Sequence, residues 1–207
     1  MNASERYAGS IVGCAVGDAL GVPFEGEARG SFRVDAMTGD DIYSPGTWSD
    51  DTSLSLCMAA TLCEHGFSAE AETAFLRKAA AWLRSGYLSA FGEAFGIGGT
   101  TRAAIERFEA GLPPGKCGGC AETDNGNGSL MRIAPLAFFL RSEPSFDDRV
   151  RAVERFSSLT HTHPRSVLAC VIFVEFLISL YDGADPSMAL FSAASRIKEG
   201  LIGNPAY

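Results

Sequence analysis

Thr47-Trp48-Ser49-Asp50-Asp51-Thr52 sets a hydroxyl and two carboxylates side by side where an apolar helical pattern begins. Hard oxygen donors this close together suit Mg²⁺ or Mn²⁺. The same residues also fit a helix start. Ser49 would be the N-cap, and Asp50 and Asp51 would meet the positive end of the helix dipole, typically worth ~0.3–1 kcal/mol each. Two features weigh against capping alone. Adjacent carboxylates repel, and Trp48 with the apolar run beside it implies partial burial, where paired acids need a cation. Three donors from one short segment seldom complete a metal site, so other segments must contribute.

Three other segments are candidates for chemistry, and two more are set aside. Glu25 follows Gly17-Asp18-Ala19-Leu20-Gly21-Val22-Pro23-Phe24. A carboxylate just past a helix C-terminus is poorly placed for the dipole, so Glu25 is either solvated or reaches a substrate from the loop. Asp18, inside the same helix, reads as a hydrogen-bonding anchor. Asp124-Asn125-Gly126-Asn127-Gly128-Ser129 precedes an apolar run. Its glycines let backbone approach a ligand, and free N–H groups at a helix start hold phosphate, although an ordinary turn with a Ser cap has the same composition. Thr160-His161-Thr162-His163-Pro164 holds two of the three histidines, at the start of the most apolar helix. There an imidazole either hydrogen-bonds a ligand or serves as a helix-entry residue. Gly96-Ile97-Gly98-Gly99 follows no expected strand, so it does not read as a dinucleotide fingerprint. Cys117-Gly-Gly-Cys120 has no second ligand pair, and a structural zinc site needs four, so it reads as a loop pair.

Helices must position all of this. The periodicity predicts them over residues 3–22, 50–65, 69–85, 101–110, 129–141, 146–159, 164–182 and from 186 onward. Pro135 requires a kink or a late start in the fifth. Residues 24–47 and 111–128 read as loops, the first able to close over a site. No run of short alternating strands occurs, so the class is all-α. Gly9, Gly13, Gly17 and Gly21 share one face of the first helix. Each costs roughly 1 kcal/mol against Ala, which places this helix at the centre of the fold with another backbone on the glycine face.

The 207 residues, 46% hydrophobic and 20% charged, suffice for one globular domain with a substantial core. A net charge of −8 argues against non-specific nucleic-acid binding, and requires that an anionic ligand be met by a metal or by backbone dipoles. Six cysteines in so long a chain do not resemble a disulfide framework. Residues 167–180 are strongly apolar but shorter than the ~20 a membrane span needs, and Glu175 interrupts them, so they read as a core helix. No signal-peptide pattern opens the chain, and the expected location is the cytoplasm, without membrane attachment.

In order and spacing, these segments resemble the ADP-ribosylglycohydrolase family. The resemblance is carried by Gly13-Cys14-Ala15-Val16-Gly17-Asp18-Ala19-Leu20-Gly21 with Pro23-Phe24-Glu25. It continues through Trp48-Ser49-Asp50-Asp51-Thr52, Gly126-Asn127-Gly128-Ser129-Leu130-Met131-Arg132, and Thr160-His161 before Pro164. It implies a compact orthogonal multi-helix bundle that hydrolyses the glycosidic bond between ADP-ribose and a protein side chain or small molecule. It implies two Mg²⁺ (or Mn²⁺) ions, with Ser49, Asp50 and Asp51 as ligands. Glu25 and Asp51 would assist proton transfer, and Asn127, Gly128, Ser129, Met131 and His161 would line the substrate cleft. The family completes its metal site with a later Gly-Asp-x-Asp-Thr motif. Leu201-Ile202-Gly203-Asn204-Pro205-Ala206-Tyr207 does not supply it, and Asp182 and Asp185 read as turn residues. The expectation is therefore a single domain over residues 1–207, C-terminally incomplete, with half of a two-ion centre. Apolar faces left uncovered would favour self-association. An impaired ADP-ribose-binding or structural protein is the alternative.

Overall fold

The computed structural model describes residues 3–201. Its eight α-helices are α1 (Ala3–Gly21), α2 (Asp50–His65), α3 (Ala69–Ser85), α4 (Gly99–Glu109), α5 (Ala134–Leu140), α6 (Phe146–Ser157), α7 (Pro164–Tyr181) and α8 (Pro186–Leu201). Short 3₁₀ turns occur at Val22–Phe24, Pro114–Lys116, Glu122–Asp124 and Leu130–Arg132. The described residues contain no strand, only an isolated bridge between Gly119 and His161. The all-α class read from the sequence is the one observed.

Two helices organise the core. On α2, Leu54, Cys57, Met58 and Leu62 recur at helical spacing and are fully buried against Phe75, Leu76, Ala79 and Trp82 of α3. Val167, Cys170, Val171, Val174, Leu177 and Ile178 form the buried arc of α7, which packs on α5, α6 and α8. By length and composition alone α7 could cross a membrane, yet 56% of it is buried inside this fold. Glu175 lies within that arc, 1% exposed. It accepts hydrogen bonds from Arg149 of α6 and, at 3.0 Å, from Arg196 of α8, so the buried charge is paired from two sides.

Two expectations are corrected. The first concerns α1, which is peripheral. Among the described residues Ala19 is its one buried residue, Val12 and Val16 are exposed, and no atom lies within 4 Å of where a Cβ would stand at Gly9, Gly13, Gly17 or Gly21. It is held by discrete contacts along its length. The Tyr7 ring stacks on Phe138 at 4.4 Å, Ser10 Oγ meets the Tyr181 hydroxyl at 2.9 Å, and Asp18 binds the start of α2. Beside the glycines, Ser10 and Cys14 border a groove of about 940 Å³ whose wall includes Met131, Phe173, Phe176 and Leu190.

The second correction concerns residues 129–141, where the start at Ser129 gives way to the late start that Pro135 left open. They form a 3₁₀ turn at Leu130–Arg132 and then the seven-residue α5. Pro135 occupies the first turn of α5, where its missing N–H costs nothing, so the helix starts late. Ser129 makes no capping bond. The cysteines are all free thiols, with Cys117 buried and Cys120 exposed.

Candidate active site

The start of α2 is built around Asp18. Ser49 N and Ser49 Oγ donate to its two carboxylate oxygens at 2.9 and 2.7 Å, and Thr52 N and Thr52 Oγ1 donate to Oδ2 at 3.0 and 2.6 Å. One side chain of α1 thus accepts from two of the backbone N–H groups at this helix start, those of Ser49 and Thr52. Ser49 is in N-cap position, but its contact with Asp51 N is long, 3.4 Å, because its hydroxyl proton is directed at Asp18. Capping at this helix start comes chiefly from another helix.

With Asp18 occupied in this way, Asp50 and Asp51 carry no ion pair among the described residues. Burial, then the charges of Asp51, Asp18 and Glu25, pushes the Asp50 carboxyl up to about 7. Asp51 is raised by burial and by Asp18 and Glu25, with the Ser49 hydrogen bond opposing. Three acids repelling one another in a half-buried place fit a cation electrostatically. The fit is partial, because no group of three His, Cys, Asp or Glu side chains among the described residues is arranged to hold a metal ion. Asp50 and Asp51 offer the edge of a hard-cation site, with the Ser49 hydroxyl turned toward Asp18.

Two cavities meet at these acids. The first, about 490 Å³, runs along α1 past Gly13, Gly17 and Gly21; the second, about 270 Å³, lies between the loop at Gly126-Asn127-Gly128 and the start of α4. Glu25, Asp50, Asp51 and Met131 line both. Most of the residues that the sequence singles out therefore share one cleft, although they are scattered over more than a hundred positions.

The second cavity also contains Gly96, Gly98 and Gly99, set aside as a dinucleotide fingerprint, and Thr100 and Thr101, which the sequence does not single out. Gly98 is the N-cap of α4 without a side-chain cap, and Gly98, Gly99, Thr100 and Thr101 line the wall. The helix start facing the cleft is thus that of α4, whereas residues 126–129 form a turn before a 3₁₀ segment. Gly96 has a φ of +81°, and a Cβ there would stand 2.5 Å from Asp50 Oδ1, so the 96–99 glycines allow close approach to the acid pair. The Gly-Gly-Thr-Thr run at the mouth of a helix was the available signal.

Gly128 serves contact as well. A Cβ would meet Thr101 Oγ1 at 2.6 Å and His161 Cε1 at 2.7 Å. Ser129, by contrast, is fully buried. Its hydroxyl accepts from Ser157 Oγ at 2.9 Å and lies 3.5 Å from Cys170 Sγ, so its side chain supports the loop from behind.

His161 is 2% exposed and is held by its backbone. Its N–H donates to Ser157 O, while Gly119 and its neighbours Thr160 and Thr162 exchange two backbone bonds. Nδ1 lies 2.8 Å from Thr160 Oγ1. Burial, then the Arg132 charge, pushes the imidazole down to about 4, with Asp124 opposing, so the ring is neutral at physiological pH.

The family model described as ADP-ribosylglycohydrolase matches residues 1–204. The chain belongs to the ADP-ribosylglycohydrolase family. It is 32% identical over 199 residues to the ADP-ribosylarginine hydrolase Tri1 of Pseudomonas putida (strain GB-1), covering 95% of this chain and 52% of that protein. It is 30% identical over 187 residues to the ADP-ribosyl-[dinitrogen reductase] glycohydrolase of Rhodospirillum rubrum, covering 86% and 59%. A solved structure titled ADP-ribosylglycohydrolase-related protein complex superposes with a TM-score of 0.75 at 30% identity, covering 99% of this chain and 70% of that one. The chain spans about half the length of the curated relatives it matches.

Proposed function

We propose that this chain carries the substrate cleft and one side of the metal centre of an ADP-ribosyl hydrolase. The substrate class is ADP-ribose linked to a protein side chain, with arginine the first acceptor to test, since a similar protein is named for that substrate. The observation that carries the reading is the junction of two cavities at Glu25, Asp50 and Asp51, with the α4 N-terminus and His161 across the second.

Chemical logic supports it. Glycoside hydrolysis passes through an oxocarbenium-like state at the anomeric carbon. Water oxygen bonds to that carbon, the bond to the acceptor breaks with its electron pair on the acceptor, and the proton released by water is returned there. Glu25 and Asp51 are the carboxylates placed to move that proton. Uncapped N–H groups at Gly98–Thr100 suit the diphosphate, offsetting the chain's negative charge. Mg²⁺ or Mn²⁺ bound at Asp50 and Asp51 would supply activation of water and orientation of the ribose hydroxyls.

A second reading is favoured by the two-carboxylate edge: ADP-ribose binding without turnover. One experiment separates them. ADP-ribosylarginine peptide is incubated with this chain, and with the longest natural product of its gene, with Mg²⁺ or with EDTA. Metal-dependent release of ADP-ribose that Glu25→Gln abolishes supports hydrolysis. Calorimetric binding of ADP-ribose without release by either form selects the second reading, and absence of both release and binding overturns the two together.

A further inference from the structure

Arg132 is a fully buried cation with no carboxylate paired to it among the described residues. Its guanidinium carbon lies 4.4 Å from the Phe75 ring centroid. One terminal nitrogen donates to Phe156 O at 3.1 Å and to Thr160 Oγ1 at 2.8 Å, while Nε and the other terminal nitrogen have no partner. Burying a charge this way is expensive, and the core gains little packing that an apolar side chain could not supply. Its one side-chain partner, Thr160, is also the partner of His161 Nδ1.

We propose that Arg132 and Thr160 are positioning residues that hold His161 as the tautomer protonated on Nε2, with that N–H offered to an oxygen of the ligand in the cleft. The inference follows from counting protons. A guanidinium only donates, so Thr160 Oγ1 must accept from Arg132. The hydroxyl then has one proton of its own, and Thr160 is 1% exposed. His161 Nδ1 is the only acceptor in contact with it among the described residues. Were Nδ1 protonated, the hydroxyl would accept twice and its own proton would be buried without a partner, costing about 1–3 kcal/mol. Nδ1 is therefore the acceptor, and in a neutral ring the proton sits on Nε2.

Nε2 has the complementary surroundings. No protein group among the described residues bonds it. It faces the ligand loop, 3.8 Å from the Cβ position at Gly126 and 3.3 Å from that at Gly128, on the wall of the second cavity. The charged groups that bear on the ring are Arg132, which opposes a second positive charge, and Asp124, whose oxygens accept from Thr100 Oγ1 and Ala121 N. His161 is thus an oriented donor and not a general acid at neutral pH. That the ligand is ADP-ribose rests on the function proposed above; the tautomer does not.

The test is nitrogen-15 NMR of the histidine-labelled chain at pH 7, with His161 assigned by its loss in His161→Gln. The expected spectrum shows a protonated Nε2 and a bare Nδ1; a proton on Nδ1, or on both, overturns the proposal. Thr160→Val should return His161 to a tautomer mixture and weaken ADP-ribose binding about tenfold, with Thr160→Ser restoring both to within about twofold. A Val variant that keeps the pure Nε2–H form also overturns it. If Thr160→Val does not fold, the wild-type and Thr160→Ser spectra decide alone. The expected tautomer in a chain that does not bind ADP-ribose would sustain the positioning role and sink the proposed function.

Discussion

Asp18 on α1 and Ser49 at the head of α2, thirty-one residues apart, are joined by two hydrogen bonds, from the Ser49 N–H at 2.9 Å and from its hydroxyl at 2.7 Å. With the two bonds from Thr52, they fix where Asp50 and Asp51 point. Asp18→Ala is therefore expected to lower stability by about 2–4 kcal/mol, since bonds to a charged acceptor are strong and the donors would be left partly buried. Urea unfolding measures this. Any Mg²⁺-dependent stabilisation should vanish with it, although Asp18 is not assigned as a ligand.

The acid cluster gives a prediction of opposite sign. Burial makes Asp50 costly to charge, and repulsion from Asp51, Asp18 and Glu25 adds to it. In metal-free buffer, Asp50→Asn should leave the melting temperature unchanged or raise it by a few degrees. Mg²⁺ at a hundredfold excess over its dissociation constant should stabilise the wild type by about 2.7 kcal/mol and the variant hardly at all. Equal metal-dependent shifts in both proteins would remove Asp50 from the metal site.

Two glycines two residues apart should respond differently. Gly128→Ala forces a methyl to within 2.6 Å of Thr101 Oγ1 and 2.7 Å of His161 Cε1. It should cost about 1–3 kcal/mol and displace the imidazole, weakening ADP-ribose binding. At Gly126 only His161 Nε2 stands within 4 Å of the new methyl, at 3.8 Å, so Gly126→Ala should be tolerated. Thermal melts with calorimetry of ADP-ribose binding check both.

Acid stability should report His161. Its folded value is lowered from 6.5 to about 4, so between those values the unfolded chain binds more protons than the native one. Stability from this group is complete above about pH 6.5 and is lost as pH falls toward 4, by up to roughly 3 kcal/mol. His161→Gln should show a shallower decline over that window. Parallel denaturation curves at pH 4.5, 5.5 and 7 would contradict it.

Much of this was readable in one dimension. Helix boundaries at Asp50–His65 and Ala69–Ser85 follow from apolar periodicity and from the Gly66 and Gly86 ends, all local properties. The grouping of Glu25, Asp50, Asp51, Asn127, Gly128 and His161 around one cleft was legible only as a resemblance, because no local rule relates segments so far apart. Two readings failed where the outcome depended on neighbours. The glycine stripe on α1 implied a packed face, and the described structure leaves it open. Ser129 was open to reading as a cap or, by the resemblance, as a cleft residue, and its hydroxyl bonds into the core with Ser157 and Cys170.

By itself, then, the sequence determined the helical class, the two main loops and the identity of the acids, since propensity, periodicity and chemical type reside in the residues. Tertiary structure alone decided that the groups Asp18 anchors are Ser49 and Thr52 at the start of α2, that the α4 N-terminus opens on the cleft, and that Arg132 stands behind His161. Each depends on which distant groups a side chain meets once burial has removed water as the alternative partner.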